Sequence, residues 1–258
     1  MNEPRLIFAG DRDISVAVLD FILAQGVEPV ALFVSDKKRA SHAAKLREMC
    51  CNLSDDFVLE GPTFRSAEGL KLMRDVRPDF VIGIHFPYIV PPEVLELSGK
   101  GFLNLHPAYL PYNRGWHTPS WAILDGTPVG ATLHIMDAGL DTGNIIRQRE
   151  LLISPADTAD SLYKRLKQLE VEVFKEAWPQ IVSGEITSFC QEGTGSSHTK
   201  ADLICDSVQA INLDENVRAG DLLKRLRALT TNDVREAAFY TENGVRYRIQ
   251  VTVTPETN

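Results

Sequence analysis

Cysteine is scarce: Cys50, Cys51, Cys190 and Cys205 are the only four in 258 residues, with no CxxC spacing and no pairing with a nearby histidine that would suggest zinc. They read as reduced and structural, not as a disulfide framework, and no metal is expected. No run of about eighteen or more apolar residues occurs, so no membrane-spanning helix is expected. The start Met1-Asn2-Glu3-Pro4 lacks the basic opening and apolar centre of a secretory signal, which predicts a cytoplasmic protein with no membrane partner. Positive charge is also short, at 27 Lys and Arg against 35 Asp and Glu, a formal net charge of −8. A protein that grips tRNA presents a basic surface that releases phosphate counterions, and the best cluster here, Lys37-Lys38-Arg39, reads as the solvated start of a helix. No nucleic-acid partner is expected. The turn Gly10-Asp11-Arg12-Asp13 lacks the GxGxxG pattern, which argues against a nicotinamide or flavin dehydrogenase.

What is present is an ordinary globular composition, 44% hydrophobic and 24% charged, enough to bury a sizeable core. Apolar runs at 5–9, 30–34, 57–59, 80–84, 102–106, 129–135 and 144–152 predict about seven strands. Between them, helical spacing at Val16, Leu19, Ile22 and Leu23, at 41–49, from the cap candidate Ser66, at Pro91-Pro92-Glu93 and over 118–124 predicts helices. Strands alternating with helices predict an α/β fold, a Rossmann-like and mostly parallel sheet. A long amphipathic helix over 157–182 closes this main domain, 1–188. The Gly/Ser/Thr-rich stretch 184–199 reads as a linker. A small α+β appendage, 200–258, follows, with one helix in AGDLLKRLRAL and a hairpin about Glu242-Asn243-Gly244.

The chain is organised around 102–126, FLNLHPAYLPYNRGWHTPSWAILDG. Alternation puts Asn104 and His106 on one face of a strand, and Pro107, which has no N–H to donate, takes the chain out of the sheet just after His106. In open α/β sheets the carboxyl edge is where ligands bind. A second stretch, HIMDAGLDTGNII from His134, breaks into a Gly-punctuated loop that carries Asp141, expected at a neighbouring strand end. Singly, a His, an Asn before a Pro-rich loop and an Asp in a turn are usually structural. Together, imidazole, amide and carboxylate are the parts needed for proton transfer beside a developing oxyanion. Arg12 has two readings, a phosphate contact at a helix N-terminus or a surface Arg paired with Asp11 or Asp13.

The pattern Asn104-x-His106-Pro107, Leu110-Pro111, Arg114-Gly115, Pro119-x-Trp121-Ala122-Ile123 and Asp141-x-Gly143-x-Ile145 resembles the 10-formyltetrahydrofolate-dependent formyltransferases over about the first 190 residues. The resemblance implies that the amine of an acceptor attacks the formyl carbon of 10-formyltetrahydrofolate. Asn104 would donate to the oxyanion, His106 would take the amine proton or hold the oxyanion, and Asp141 would orient the His106 ring and favour its charged form. It also implies that Phe86, Pro87, Tyr88 and Ile89, with Asp137, Ala138 and Gly139, line the folate slot, although the stretch 85–90 reads equally as a cover for the core.

The tail and the wording NRGWHTPSW are more similar to the N-formyltransferases of nucleotide-linked amino sugars than to methionyl-tRNA formyltransferase or glycinamide ribonucleotide formyltransferase. The acceptor implied is a nucleoside-diphosphate amino sugar used in making a surface glycan, and the chain is expected to be a homodimer. Tyr109, Arg114, Trp116 and His117 are candidate acceptor contacts, Trp116 reading equally as a packing residue. Where the family often has Ser-Leu-Leu after His-Pro, this chain has Ala108-Tyr109-Leu110.

Overall fold

Strands whose every side chain is apolar can sit only in a sheet covered on both faces, and LIFAG and FVIGI do so. The computed structural model describes residues 3–256; Met1 and Asn2, half of the start that lacks a secretory pattern, lie outside them. In chain order the elements are β1 (Leu6–Gly10), α1 (Asp13–Ala24), β2 (Ala31–Val34), α2 (Ala43–Met49), β3 (Val58–Glu60), α3 (Ala67–Val76), β4 (Phe80–Ile84), α4 (Pro92–Leu95), β5 (Gly101–His106) and β6 (Arg114–Gly115). Then come α5 (Thr118–Asp125), β7 (Gly130–Ile135), β8 (Ile145–Glu150), α6 (Ala159–Ser183), β9 (Ser197–His198), α7 (Lys200–Leu203), α8 (Asp206–Gln209), α9 (Ala219–Ala228), β10 (Ala238–Glu242) and β11 (Val245–Ile249).

The expected α/β architecture is present. Seven strands form one sheet in the order β3-β2-β1-β4-β5-β7-β8, parallel from β3 through β5. The fully buried β1 and β4 occupy its centre, and aligned burial of such Leu, Ile and Phe side chains contributes roughly 1.5–3 kcal/mol each. Under β2 and β4 the rings of Phe33 and Phe64 stack at 6.0 Å in a core with Met73, Val94 and Phe102. Among the described residues no helix is long and apolar enough to cross a membrane. The four cysteines are free, and burial pushes the Cys50 thiol up to about 11, with Glu28 and Cys51 adding to the rise.

The chain divides into two compact units, one of Met1–His106, Thr132–Gln148 and Glu170–Gln191, the other of Pro107–Ala131, Arg149–Leu169 and Glu192–Asn258. In the second, Ile123, Val129, Leu162, Leu166 and Ala228 make a core that joins α5, the start of α6 and α9. Its hairpin β10-β11 turns through Asn243 and Gly244, both at positive φ (51° and 76°), the geometry for which Asn-Gly is selected. One expectation fails: the stretch 184–199 is not a bare linker. In the first unit Phe189 bridges to Ile145, and in the second β9 pairs in parallel with β6. Edge groups of a sheet are available to any passing chain, and composition does not reveal that such a chain pairs.

Candidate active site

β5 delivers Asn104 and His106 to one face, and Pro107 ends the strand as its missing N–H requires. The next strand in the sheet is antiparallel to it, with Asn104 opposite His134 and His106 opposite Thr132. This corrects the expectation that Asp141 lies at a strand end beside His106. Because β7 runs the other way, it finishes opposite Leu103, with Met136 N donating to Phe102 O at 2.7 Å. The loop 136–144 therefore folds back to bring Asp141 onto the histidines. It can do so because Asp141 adopts φ 52°, the left-handed region that Asp tolerates, and because Gly143 lies where a Cβ would meet Ile135 O at 1.7 Å. Asp137 Oδ1 holds the loop by accepting from Gly139 N at 3.0 Å and from Thr142 Oγ1 at 2.6 Å.

The result is a four-residue cluster, not the expected three. Asp141 Oδ2 lies 3.6 Å from His106 Nε2, and its Oδ1 lies 3.6 Å from His134 Nε2. Asn104 Nδ2 donates to Asp141 Oδ1 at 3.3 Å and meets His134 Nε2 at 3.1 Å. The ring of His134 is assigned by its other nitrogen: Nδ1 faces the carbonyl of Ile135 at 3.1 Å and so carries the hydrogen, leaving Nε2 to accept from the Asn104 amide. Both Asn104 amide hydrogens are thus directed within the cluster. In the sequence His134 carries no distinguishing signal, because a histidine inside an apolar strand is recognisable only once its cross-strand partner, Asn104, is known. His106, His134 and Asp141 are all largely buried, at 9%, 1% and 11% side-chain exposure, so their electrostatic interactions are poorly screened.

The proposed folate-slot residues of the first unit divide. Phe86 and Tyr88 lie partly buried on the core, their rings 5.0 Å apart, with Tyr88 OH donating to Asp36 Oδ2 at 3.1 Å. Ile89 is 83% exposed. The loop leaves β4 through His85, at φ 48°, whose Nε2 is 2.8 Å from the fully buried Glu170.

Arg12 lies at the turn after β1. Its guanidinium pairs with Asp11 at 3.0 Å and donates to Ser41 Oγ at 2.9 Å, while Ser15 Oγ accepts from Asp11 N and Arg12 N.

The candidate acceptor residues Tyr109, Arg114, Trp116 and His117 belong to the second unit. Trp116 is 48% exposed with Lys200 Nζ 5.4 Å from its ring centre. His117, at φ 56°, caps α5 from the left-handed region and lies 3.7 Å from Glu236. Burial holds the His117 ring below the usual histidine range despite that carboxylate. Among the described residues no cluster of three or more His, Cys, Asp or Glu is arranged to hold a metal.

Residues 6–178 match the model of the formyl transferase family, and residues 205–255 match the N-formyltransferase dimerization C-terminal domain. Over 180 residues, 70% of this chain and 75% of the relative, the sequence is 36% identical to dTDP-4-amino-4,6-dideoxyglucose formyltransferase of Mycobacterium tuberculosis. Methionyl-tRNA formyltransferase of Myxococcus xanthus is 31% identical over 235 residues, 89% of this chain and 74% of its own. A solved Mycobacterium tuberculosis protein described as a sugar N-formyltransferase superposes with a TM-score of 0.79 at 28% identity, covering 99% of this chain and all of that one. A formyltransferase of Anoxybacillus kamchatkensis, solved with UDP-4,6-dideoxy-4-formamido-L-AltNAc and tetrahydrofolate, gives 0.56 at 30% identity, covering 76% of this chain and 86% of that one. With the family model matched over most of its length, the chain belongs to the formyl transferase family.

Proposed function

We propose that this enzyme moves a formyl group from 10-formyltetrahydrofolate to the amine of a nucleoside-diphosphate amino sugar, such as a dTDP-4-amino-4,6-dideoxyhexose, in making a surface glycan. The observation that carries the chemistry is the Asn104–His134–Asp141–His106 cluster, with one carboxylate within 3.6 Å of two imidazoles. The donor supplies the formyl carbon that the acceptor amine attacks. A C–N bond forms to the amine, the C–N bond to the folate nitrogen breaks, and one proton must travel from the first nitrogen to the second.

His106 takes that proton at Nε2, the atom that faces Asp141 Oδ2, and the carboxylate stabilises the imidazolium that results. Asn104 stabilises the developing oxyanion. For this it exchanges its longer bond, the 3.3 Å one to Asp141, for the oxygen, while His134 keeps the other amide hydrogen and hence the orientation. The folate is assigned to Phe86, Pro87, Tyr88 and Ile89 with Asp137, Ala138 and Gly139. The exposed Ile89 and the partly buried Phe86 and Tyr88 offer an apolar flank of the kind a flat ring needs. Tyr109, Arg114, Trp116 and His117 are proposed acceptor contacts on the strength of the sequence resemblance.

The division of labour follows the chain, with 1–188 catalytic and 200–258 a small domain through which the protein forms a homodimer; light scattering that gives a monomer would remove the dimer. The similarity to a methionyl-tRNA formyltransferase over 235 residues supports a second reading, against which stands the formal net charge of −8. A mass-spectrometric assay with 10-formyltetrahydrofolate and thymidine-, uridine- and guanosine-diphosphate amino sugars beside initiator methionyl-tRNA decides between them. Formylation of a sugar nucleotide is expected, and formylation of the tRNA alone would reverse the assignment.

A further inference from the structure

The stretch 184–199 has the composition of a linker, yet part of it is fastened beside the catalytic loop. Phe189 exchanges both backbone bonds with Ile145, N to O at 2.9 Å and O to N at 2.8 Å, so the chain enters as a short strap along the start of β8. Two residues on, Gln191 turns its side chain to the loop that bears Asp141. Its Nε2 donates to Asp141 O at 2.8 Å and to Gly143 O at 2.9 Å. A primary amide carries two hydrogens and both are directed at carbonyls, an arrangement that the reversed amide, with its oxygen there instead, could not make.

Those two carbonyls flank a turn that the backbone alone holds poorly. Asp141 sits at φ 52°, a conformation that non-glycine residues adopt at a cost, and carbonyls in such a turn point away from any strand ladder and need a donor. At Gly143 the loop comes so close to the sheet that a Cβ would meet Ile135 O at 1.7 Å. Asp137 braces the loop from within through Gly139 N and Thr142 Oγ1, but neither bond reaches the carbonyls of Asp141 and Gly143, which take their side-chain donor from Gln191 outside the loop.

We infer that Gln191 is a positioning residue for Asp141: the strap 189–191 fixes the left-handed turn and thereby the carboxylate that faces both histidines. The inference rests on the reading of Asp141 as a participant in formyl transfer.

The test compares wild-type full-length protein with Gln191→Ala, Gln191→Glu, Asp141→Ala and the double variant Gln191→Ala/Asp141→Ala. Hydrogen-exchange mass spectrometry reads the loop directly. Amides of 137–145 exchange severalfold faster in Gln191→Ala, while those of β1 and β4 are unchanged. In turnover, Gln191→Ala lowers kcat on the order of ten- to a hundredfold with KM for both substrates within about twofold, as expected when a reacting group is misaimed rather than a substrate lost. Gln191→Glu, which has no hydrogen to donate and sets a carboxylate against two carbonyls, loses at least as much. In the Asp141→Ala background, removing Gln191 costs nothing further, since it acts only through the missing group.

Unchanged exchange of 137–145 in Gln191→Ala overturns the inference, and so does a kcat loss of the same size with and without Asp141. If Asp141→Ala turns over normally, the catalytic reading of Asp141 falls, and hydrogen exchange still decides whether Gln191 holds the loop.

Discussion

In the first compact unit His106 and His134 each lie 3.6 Å from one carboxylate, Asp141; in the second, His117 lies 3.7 Å from Glu236 and His198 lies 3.6 Å from Asp125. The separations match, but the surroundings do not. Asp141 is shared by two imidazoles and an amide, and the His134 ring is bonded at both nitrogens. In the second unit each ring faces its own carboxylate. Burial holds the rings of His117 and His198 below the usual histidine range, although each faces a carboxylate. The His198 ring lies flat on Trp121, with centres 4.0 Å apart and planes within 5°. A histidine–carboxylate distance therefore does not assign a role. What separates the two sets is the number of groups gathered on one carboxylate, two imidazoles and an amide in the first unit against one ring each in the second.

The contrast breaks most sharply in turnover. Asn104→Ala and His106→Ala are each expected to lose on the order of a hundredfold to a thousandfold in kcat, the usual cost of an oxyanion donor or its equivalent, with melting temperature little changed. Turnover within a few fold of wild type in either would dissolve the distinction between the two units. A smaller loss, roughly tenfold, is expected for His134→Leu, which removes one hydrogen bond from the amide without removing a reacting group. An equal loss to that of His106→Ala would make His134 a direct participant.

His198→Phe sharpens the other side, keeping the stack on Trp121 and leaving kcat unchanged. Its effect is on acid stability. Burial lowers the folded pKa of His198 from the ordinary 6.5, with Asp125 and Asp202 opposing, so below that pH the unfolded chain binds more protons than the native one. Stability accordingly falls as pH drops through about 6.5 toward the folded value, and His198→Phe should flatten that slope in thermal melts between pH 7.5 and 5.5. A slope identical to wild type would show that burial does not penalise this ring.

Much of the fold was legible because apolar runs and turn residues are local signals. FVIGI became β4 at its expected bounds, and Asn-Gly marked the hairpin. The site was legible in part for the same reason: Pro107 had to end β5 after His106. The route by which Asp141 arrives was not, because the antiparallel direction of β7 is a tertiary fact that reverses which sheet edge its loop leaves from. His134 and Gln191 were hidden for a related reason. One is recognisable only once Asn104 stands opposite it, and the other lies in a Gly/Ser/Thr-rich stretch whose composition says linker while its backbone is paired.

The central claim, that one carboxylate organises formyl transfer, is tested most directly by single-turnover formylation of a dTDP-amino sugar by wild-type protein and Asp141→Asn, which keeps the shape of the side chain and removes its charge. The account predicts a transfer rate at least about a hundredfold slower in the variant, at an unchanged melting temperature and with donor binding retained. Transfer at the wild-type rate would contradict it, leaving the cluster around Asp141 a structural feature of the sheet.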